Sequence, residues 1–172
     1  MRKPFAHQLR GLEQYKDGKN YFHWDTGTGK TYGALLLANS LNAKSLLVIA
    51  PKSAQPSWFQ ELQEFSFVPT IMTYEKFLRE GESLNLFHFD FFIFDEIHRL
   101  KNIQAKTTRL ALKLFAKIPP SEKIGLSGTP LDKHYEIYTQ VKVLDFLYIE
   151  KIFGKWKDFK RGFHVDKWGN PV

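Results

Sequence analysis

Residues 25–31 read Asp-Thr-Gly-Thr-Gly-Lys-Thr, a set of types suited to holding a polyphosphate. Glycine lets the backbone turn so that successive N–H groups face one anion. Thr26, Gly27, Thr28 and Gly29 would form that cradle. Lys30 can reach β- and γ-phosphates, and the Thr31 hydroxyl can ligate Mg²⁺. The pattern G-x-x-x-x-G-K-[ST] puts its first glycine at position 24, where this chain has Trp24. That glycine relieves crowding at the strand exit, while the N–H groups come from positions 27 to 31, so its replacement leaves the cradle legible. A glycine-rich turn capped by threonine is the plainer alternative. A strand before the run and a helix after it favour the phosphate loop.

A second constellation is Asp95-Glu96-Ile97-His98, directly after the apolar run FFIF. Two adjacent acids at the end of a buried strand are costly unless they have a task. Asp95 is placed to hold Mg²⁺ through water, and Glu96 to orient and deprotonate a water that attacks a γ-phosphate. An ordinary acidic turn is the alternative. Ser127-Gly128-Thr129-Pro130 follows KIGL, and its Ser127 and Thr129 could sense the γ-phosphate or meet Glu96 and His98, although such residues are also common turn formers. Lys52 and Ser53 follow LLVIA, and Thr73 follows TIM. All three are candidates to touch a phosphate backbone. Gln8, near the start, has an amide able to bond both edges of adenine, a role that one glutamine alone cannot establish.

The elements that must present these residues can be read from apolar patterning. Candidate strands are Asn20–Trp24, Ser45–Ala50, Thr70–Thr73, Phe89–Phe94 and Lys123–Leu126. Candidate helices are Lys30–Asn42, Ser57–Phe65, Tyr74–Arg79, Thr107–Phe115 and His134–Phe146. The runs LLVIA and FFIF are unbroken rather than alternating, as in strands buried on both faces. Strand–helix alternation predicts an α/β fold, a parallel β-sheet flanked by helices in three layers. In such folds ligands bind beyond the carboxyl ends of the strands, which is where every candidate above lies except Gln8.

Composition bounds the partners. The chain has 172 residues, no cysteine and a formal charge of +7. One domain is expected. A disulfide scaffold or thiolate zinc site is excluded. Basic charge suits a polyanion, nucleic acid or acidic lipid. No apolar run approaches the roughly 20 residues that span a bilayer, so no membrane association is expected. The start lacks the apolar stretch of a signal peptide, so a cytoplasmic location is expected, or the host cytoplasm for a phage-encoded chain, with the nucleus also open.

Taken in order, HQLRGL, WDTGTGKT, IAPKSAQPSWFQEL, TYEKF, FDEIHRLKN and LSGTPL resemble the first six motifs of superfamily 2 helicases. The likeness is greatest to the SWI/SNF-like branch, with its DEAH-type box. Trp58 in PSWFQEL also resembles that branch, and phage-encoded members look especially similar, including the late WGNP. Ile97 stands where the family usually has alanine, and the position of Trp24 is often not glycine there. The resemblance implies a RecA-like P-loop lobe that uses ATP and Mg²⁺. It implies adenine recognition by Gln8, phosphate binding by Lys30 and Thr31, Mg²⁺ bound through water by Asp95, and Glu96 as catalytic base. His98, Ser127 and Thr129 would couple nucleotide state to nucleic-acid contacts, and Lys52 and Thr73 would meet the tracked strand, DNA being the expected polymer.

The same family hydrolyses ATP between two RecA-like lobes. After LSGTPL only about forty residues remain, short of the roughly 100–150 of a typical domain. The chain is therefore expected to be one ATP-binding lobe (1–150) with a basic aromatic tail (151–172), its second lobe lying in the same parent or another chain. The tail interleaves Lys151, Lys155, Lys157, Lys160, Arg161 and Lys167 with Trp156, Phe159, Phe163 and Trp168. Such a pattern suits a nucleic-acid strand, or aromatics docked on a neighbouring element. Two other readings compete with the DNA-dependent ATPase. One is a non-catalytic nucleotide- or DNA-binding module that regulates a partner, which the Asp95-Glu96 pair disfavours. The other is a small-molecule kinase, which DEIH and SGTP disfavour.

Overall fold

The structure, a computed structural model, describes residues 2–129 and 136–161. Five parallel strands form one sheet: β1 (Tyr21–His23), β2 (Ser45–Ile49), β3 (Val68–Met72), β4 (Phe91–Asp95) and β5 (Lys123–Ser127). Their spatial order is β1-β5-β4-β2-β3. Helices α1 (Ala6–Lys16), α2 (Lys30–Ser40), α3 (Gln55–Leu62), α4 (Tyr74–Glu80) and α5 (Lys106–Phe115) accompany it, followed by α6 (Ile137–Leu144), α7 (Phe146–Phe153) and α8 (Trp156–Arg161).

The unbroken apolar runs behave as their composition requires. β4 is buried at every position, and β2 at all but its first. β4 lies in the middle of the sheet with β2 beside it, and helices cover both faces. One layer of core joins Phe22, Leu35, Leu46, Val48, Trp58 and Ile93; the other joins Leu47, Phe77, Phe92, Phe94, Phe115 and Leu144. β3 carries Pro69 and an exposed Val68 and is an edge strand, where a missing N–H costs least. Among the described residues no helix is long and apolar enough to cross a membrane.

The register decides the geometry of the rim. His23 pairs with Ser127, and Asp95 with Leu126. The carboxyl ends of β1, β5 and β4 are therefore adjacent, and the loops that follow them share one half of the rim. β2 and β3 end on the other half, so Lys52 and Thr73 lie apart from the glycine-rich loop.

Two elements depart from expectation. α1 was not anticipated; it covers the exit of β1. The single helix expected over 134–146 is broken at Asp145, whose backbone is extended (φ −141, ψ 95) and whose carboxylate accepts a hydrogen bond from Tyr148 N at 2.9 Å, starting α7. Residue 134 lies outside the described residues. α7 runs through the boundary expected at residue 150. Beyond it, Trp156 and Phe159 pack on Tyr138, with ring centroids at 5.3 and 4.8 Å, while Phe163 and Trp168 lie outside the described residues.

Candidate nucleotide site

The loop after β1 turns on two glycines. Gly27 and Gly29 both have φ +76, a conformation costly for any residue with a Cβ. Gly29 is also the N-cap of α2, so the loop's N–H groups and the positive end of an 11-residue helix point to one place. Lys30 curls over this place. Its Nζ donates to the carbonyls of Trp24 and Asp25, both at 2.9 Å. The loop is braced from within, since Thr28 Oγ1 donates to Asp25 O at 2.7 Å.

Trp24, at the position of the absent glycine, has a structural task. Its ring stacks on Phe22 at 4.3 Å and meets His7 edge-on at 5.0 Å. It fills the seam between α1 and α2, and a Cβ at Gly11 or Gly33 would come within 2.6 or 2.7 Å of it. α1 thereby delivers two further side chains to the loop. His7 Nε2 lies 2.9 Å from Thr28 O. Gln8, fully buried, donates from Nε2 to Gly29 O at 3.0 Å, and its Oε1 accepts from Phe5 N at 2.8 Å. Both ends of the Gln8 amide thus hold the glycine-rich loop to the N-terminal segment.

The acid pair sits across the sheet from this loop. Asp95 is buried. Its Oδ2 accepts from Trp58 Nε1 at 2.8 Å and its Oδ1 from Glu96 N at 3.0 Å. Burial raises the Asp95 pKa above the usual carboxylate value, and the neighbouring Glu96 charge adds to this, while the Trp58 N–H and the charge of Lys30 oppose it. Tyr74 OH donates to Asp95 O at 2.8 Å, so that the strand end is fixed from α4 as well as from α3. Glu96 adopts a left-handed backbone (φ 51, ψ 51), uncommon for a residue with a side chain and of a kind that concentrates at functional sites. Its Oε2 is buried without a hydrogen bond. His98 Nδ1 lies 3.1 Å away, but not in hydrogen-bond alignment.

The loop after β5 closes the space between. Ser127 Oγ lies 3.1 Å from His98 Nδ1 and accepts from Thr129 N at 3.3 Å. A Cβ on Gly128 would lie 2.7 Å from Lys30 Nζ and 3.2 Å from Trp24 O, so glycine lets this loop approach the phosphate loop without displacing Lys30 or crowding the Trp24 carbonyl. Lys30, Asp95, Glu96, His98, Ser127 and Thr129 are therefore gathered on one half of the rim. Lys52, Ser53 and Thr73 are on the other. There Thr73 Oγ1 caps α4 by accepting from Lys76 N at 3.1 Å, while Lys52 and Ser53 are exposed.

Sequence reasoning missed the supporting residues. Trp58 stood out only through a resemblance, and neither its bond to Asp95 nor that of Tyr74 has a signature in spacing. The same holds for Tyr21, whose OH donates to the buried Gln140 Oε1 at 2.7 Å and so ties β1 to α6. Burial raises the Tyr21 pKa to about 12, which keeps the phenol a donor. His7, beside Gln8, has no signature in spacing that marks it as a loop contact.

The donor set fits a nucleoside triphosphate with Mg²⁺. A backbone cradle with its lysine, a helix N-terminus and a buried carboxylate converge, and Glu96 has a buried oxygen in want of a partner. Among the described residues no group of three His, Asp or Glu side chains is arranged to hold a metal ion by itself. Thr31 directly, and Asp95 through water, would hold Mg²⁺ together with the phosphates, as this ion is held in nucleotide sites.

A five-stranded parallel sheet with a glycine-rich loop at one strand end and an acid pair at another is a RecA-like α/β lobe. A family model described as the SNF2-related domain matches residues 67–168, more than half of the chain, and the chain belongs to this family. A SWI/SNF-related matrix-associated actin-dependent regulator of chromatin subfamily A-like protein 1 homolog of Caenorhabditis elegans is 29% identical over 90% of this chain and 25% of its own length. The corresponding protein of Drosophila melanogaster is 32% identical over 70% of this chain and 19% of its own length. Among solved structures, the Sulfolobus solfataricus SWI2/SNF2 ATPase core in complex with dsDNA superposes with a TM-score of 0.75. It is 20% identical, over 94% of this chain and 39% of that one. The chain spans about a quarter or less of these two curated relatives.

Proposed function

We propose that this chain is the ATP-binding lobe of a DNA-dependent ATPase of the superfamily 2 helicase and translocase class, coupling ATP hydrolysis to movement on, or remodelling of, nucleic acid. The observation that carries the reading is the convergence of Lys30, Asp95, Glu96 and the Ser127–Thr129 loop at the adjacent ends of β1, β4 and β5. Membership of the SNF2-related family supports the same reading. The N–H groups of the 26–29 loop and Lys30 bind the phosphates, and Thr31 and Asp95 hold Mg²⁺. The ion they hold would supply charge neutralisation at the phosphate oxygens. Glu96 orients the attacking water and takes its proton. His98 and Ser127 stand between Glu96 and the loop after β5, and with Thr129 they report the state of the nucleotide to the nucleic-acid face. Gln8, on α1 beside the phosphate loop, recognises adenine by exchanging its amide bonds to Gly29 O and Phe5 N for the base edge. Lys52, Ser53 and Thr73 contact the backbone of a nucleic acid, DNA by the company the family keeps. A second RecA-like lobe, in the same parent or another chain, completes the site.

Calorimetry with Mg²⁺-ATP tests the nucleotide assignment. The wild-type chain binds, weakly, because only one wall of the pocket belongs to this lobe. Lys30→Ala loses binding while thermal unfolding stays cooperative, since Lys30 is half-exposed and no part of the core. Equal affinity in the two proteins would overturn the assignment. In a two-lobe parent, Glu96→Gln binds ATP and stalls.

A further inference from the structure

Three depressions on the side of the lobe run into one another. The first, about 610 Å³, holds Lys52, Ser53 and Arg99 at the rim. The second, about 390 Å³, shares Glu75 and Arg99 with the first and includes Arg79. The third, about 420 Å³, shares Leu78 and Arg79 with the second and lies along the seam of α4 and α5, against Lys106, Arg109 and Lys113. The result is a continuous groove from the carboxyl edge of the sheet down one flank. It carries six cations; Glu75 and Glu82 line it with them, and Glu80 opposes Arg79 from beside it.

The charges are not neutralised in place. Arg99 lies 3.5 Å from Glu75 and over the Tyr74 ring, Arg79 lies 3.4 Å from Glu80, and Lys113 lies 2.7 Å from Glu82. All three pairs are largely exposed, so each is weak and exchangeable. Lys52, Lys106 and Arg109 have no acidic partner among the described residues. α5 contains no acid at all, and Lys106, Arg109 and Lys113 fall at i, i+3 and i+7, on one face. At 1.5 Å per residue these three span about 10 Å, and one strand of a duplex offers a phosphate about every 3.4 Å of its axis. About 10 Å covers roughly three such steps, so the face is long enough to lie along three to four successive phosphates.

We propose that the α4–α5 seam is a second nucleic-acid contact, taking the phosphate backbone of DNA where it leaves the rim at Lys52. This rests on the functional reading above and extends its polymer contact from the carboxyl edge to the flank. The seam reads no bases. It adds grip and fixes the path of the strand over the lobe.

The test is a fluorescence titration of the 172-residue chain with a duplex, at two or more salt concentrations, using Lys106→Gln/Arg109→Gln. Both side chains are exposed and outside the core. A Lys16→Gln/Lys19→Gln variant, on α1 and the turn after it, lowers net charge equally at a site outside the groove. The seam variant binds at least about tenfold more weakly at low salt, and its log–log salt slope is shallower by about 2, since two fewer phosphates are neutralised. The control keeps most of both. Equal weakening in the two variants would reduce the seam to general charge and overturn the proposal. So would an unchanged DNA affinity in the seam variant together with loss of binding to a fluorescent polyglutamate, an outcome that assigns the groove to an acidic peptide. Calorimetry with Mg²⁺-ATP on the same variants separates the two levels. Intact ATP binding with a silent seam rejects the seam alone, whereas absence of ATP binding in the wild type rejects the underlying reading.

Discussion

Trp58 is the residue whose role most exceeds its visibility. It is fully buried, and its one polar atom is spent on Asp95. A buried carboxylate that must stay charged to hold a cation needs donors, because burial pushes it toward its neutral form. Here the Trp58 N–H and the Glu96 amide supply them. Trp58→Phe keeps most of the volume and removes the donor. It is expected to cost about 1–3 kcal/mol of stability, from a lost buried hydrogen bond and a small cavity. In a two-lobe parent it also raises the Mg²⁺ concentration needed for half-maximal ATP hydrolysis. Binding of ATP without Mg²⁺, which depends on Lys30 and the loop, stays close to wild type. A Mg²⁺ titration of hydrolysis beside calorimetry in EDTA checks this. An unchanged Mg²⁺ requirement would leave Trp58 as packing only.

At the scale of elements, the buried Lys123 joins two helix ends. Its Nζ donates to Phe115 O at 2.9 Å and Val143 O at 3.1 Å, carbonyls in the last turns of α5 and α6. Burial pulls its pKa from 10.5 down to about 8, against a smaller upward pull from Asp145 and Glu122. A lysine whose folded pKa is depressed opposes folding below that pKa, where it must be charged inside. The penalty is relieved as pH rises through about 8 toward 10.5. From pH 7 to 9.5 the wild type should gain about 2 kcal/mol relative to Lys123→Met, which lacks the titration. Urea unfolding of both proteins across that range measures it, and parallel pH profiles would contradict it. The same elements show what the sequence could and could not disclose. β2 and β4 were legible because apolar runs buried on both faces leave no alternation, and the rim residues followed from the ends of those runs. α1 was not, because it is held by Gln8, Gly11 and Tyr15 against Trp24 and the sheet rather than by an apolar stripe, and Leu9 on it is half exposed. The break between α6 and α7 had a local sign in Asp145, a good N-cap, which the helical periodicity on either side obscured. The Tyr21–Gln140 and Trp58–Asp95 bonds join residues 119 and 37 positions apart; only the strand order brings such pairs together.

For the whole molecule, the decisive question is what faces the γ-phosphate from beyond this lobe. Among the described residues, the cation at the phosphate loop is Lys30, which now bonds Trp24 O and Asp25 O. Arg99 follows the acid pair closely in sequence, yet it turns away to Tyr74 and Glu75 and lines the flank groove. In the proposed site the lobe supplies the cradle, the residues for Mg²⁺ and the base, but no arginine reaches the place of the transferred phosphate among those residues. An arginine finger is worth roughly 10³–10⁵ in rate where it operates. Typical enzymes turn over at on the order of 10 s⁻¹, so the 172-residue chain alone is expected at about 10⁻² s⁻¹ or below. DNA should change that rate little, because the contacts it makes on this lobe cannot bring in the missing charge. Single-turnover hydrolysis of radiolabelled ATP is the measurement, with Lys30→Ala and Glu96→Gln as controls for contaminating activity. Turnover near 10 s⁻¹ that both controls abolish would mean that a complete site exists within this one lobe. A rate that rises by several decades only on addition of a second lobe would mean that the lobe described here is one half of the site.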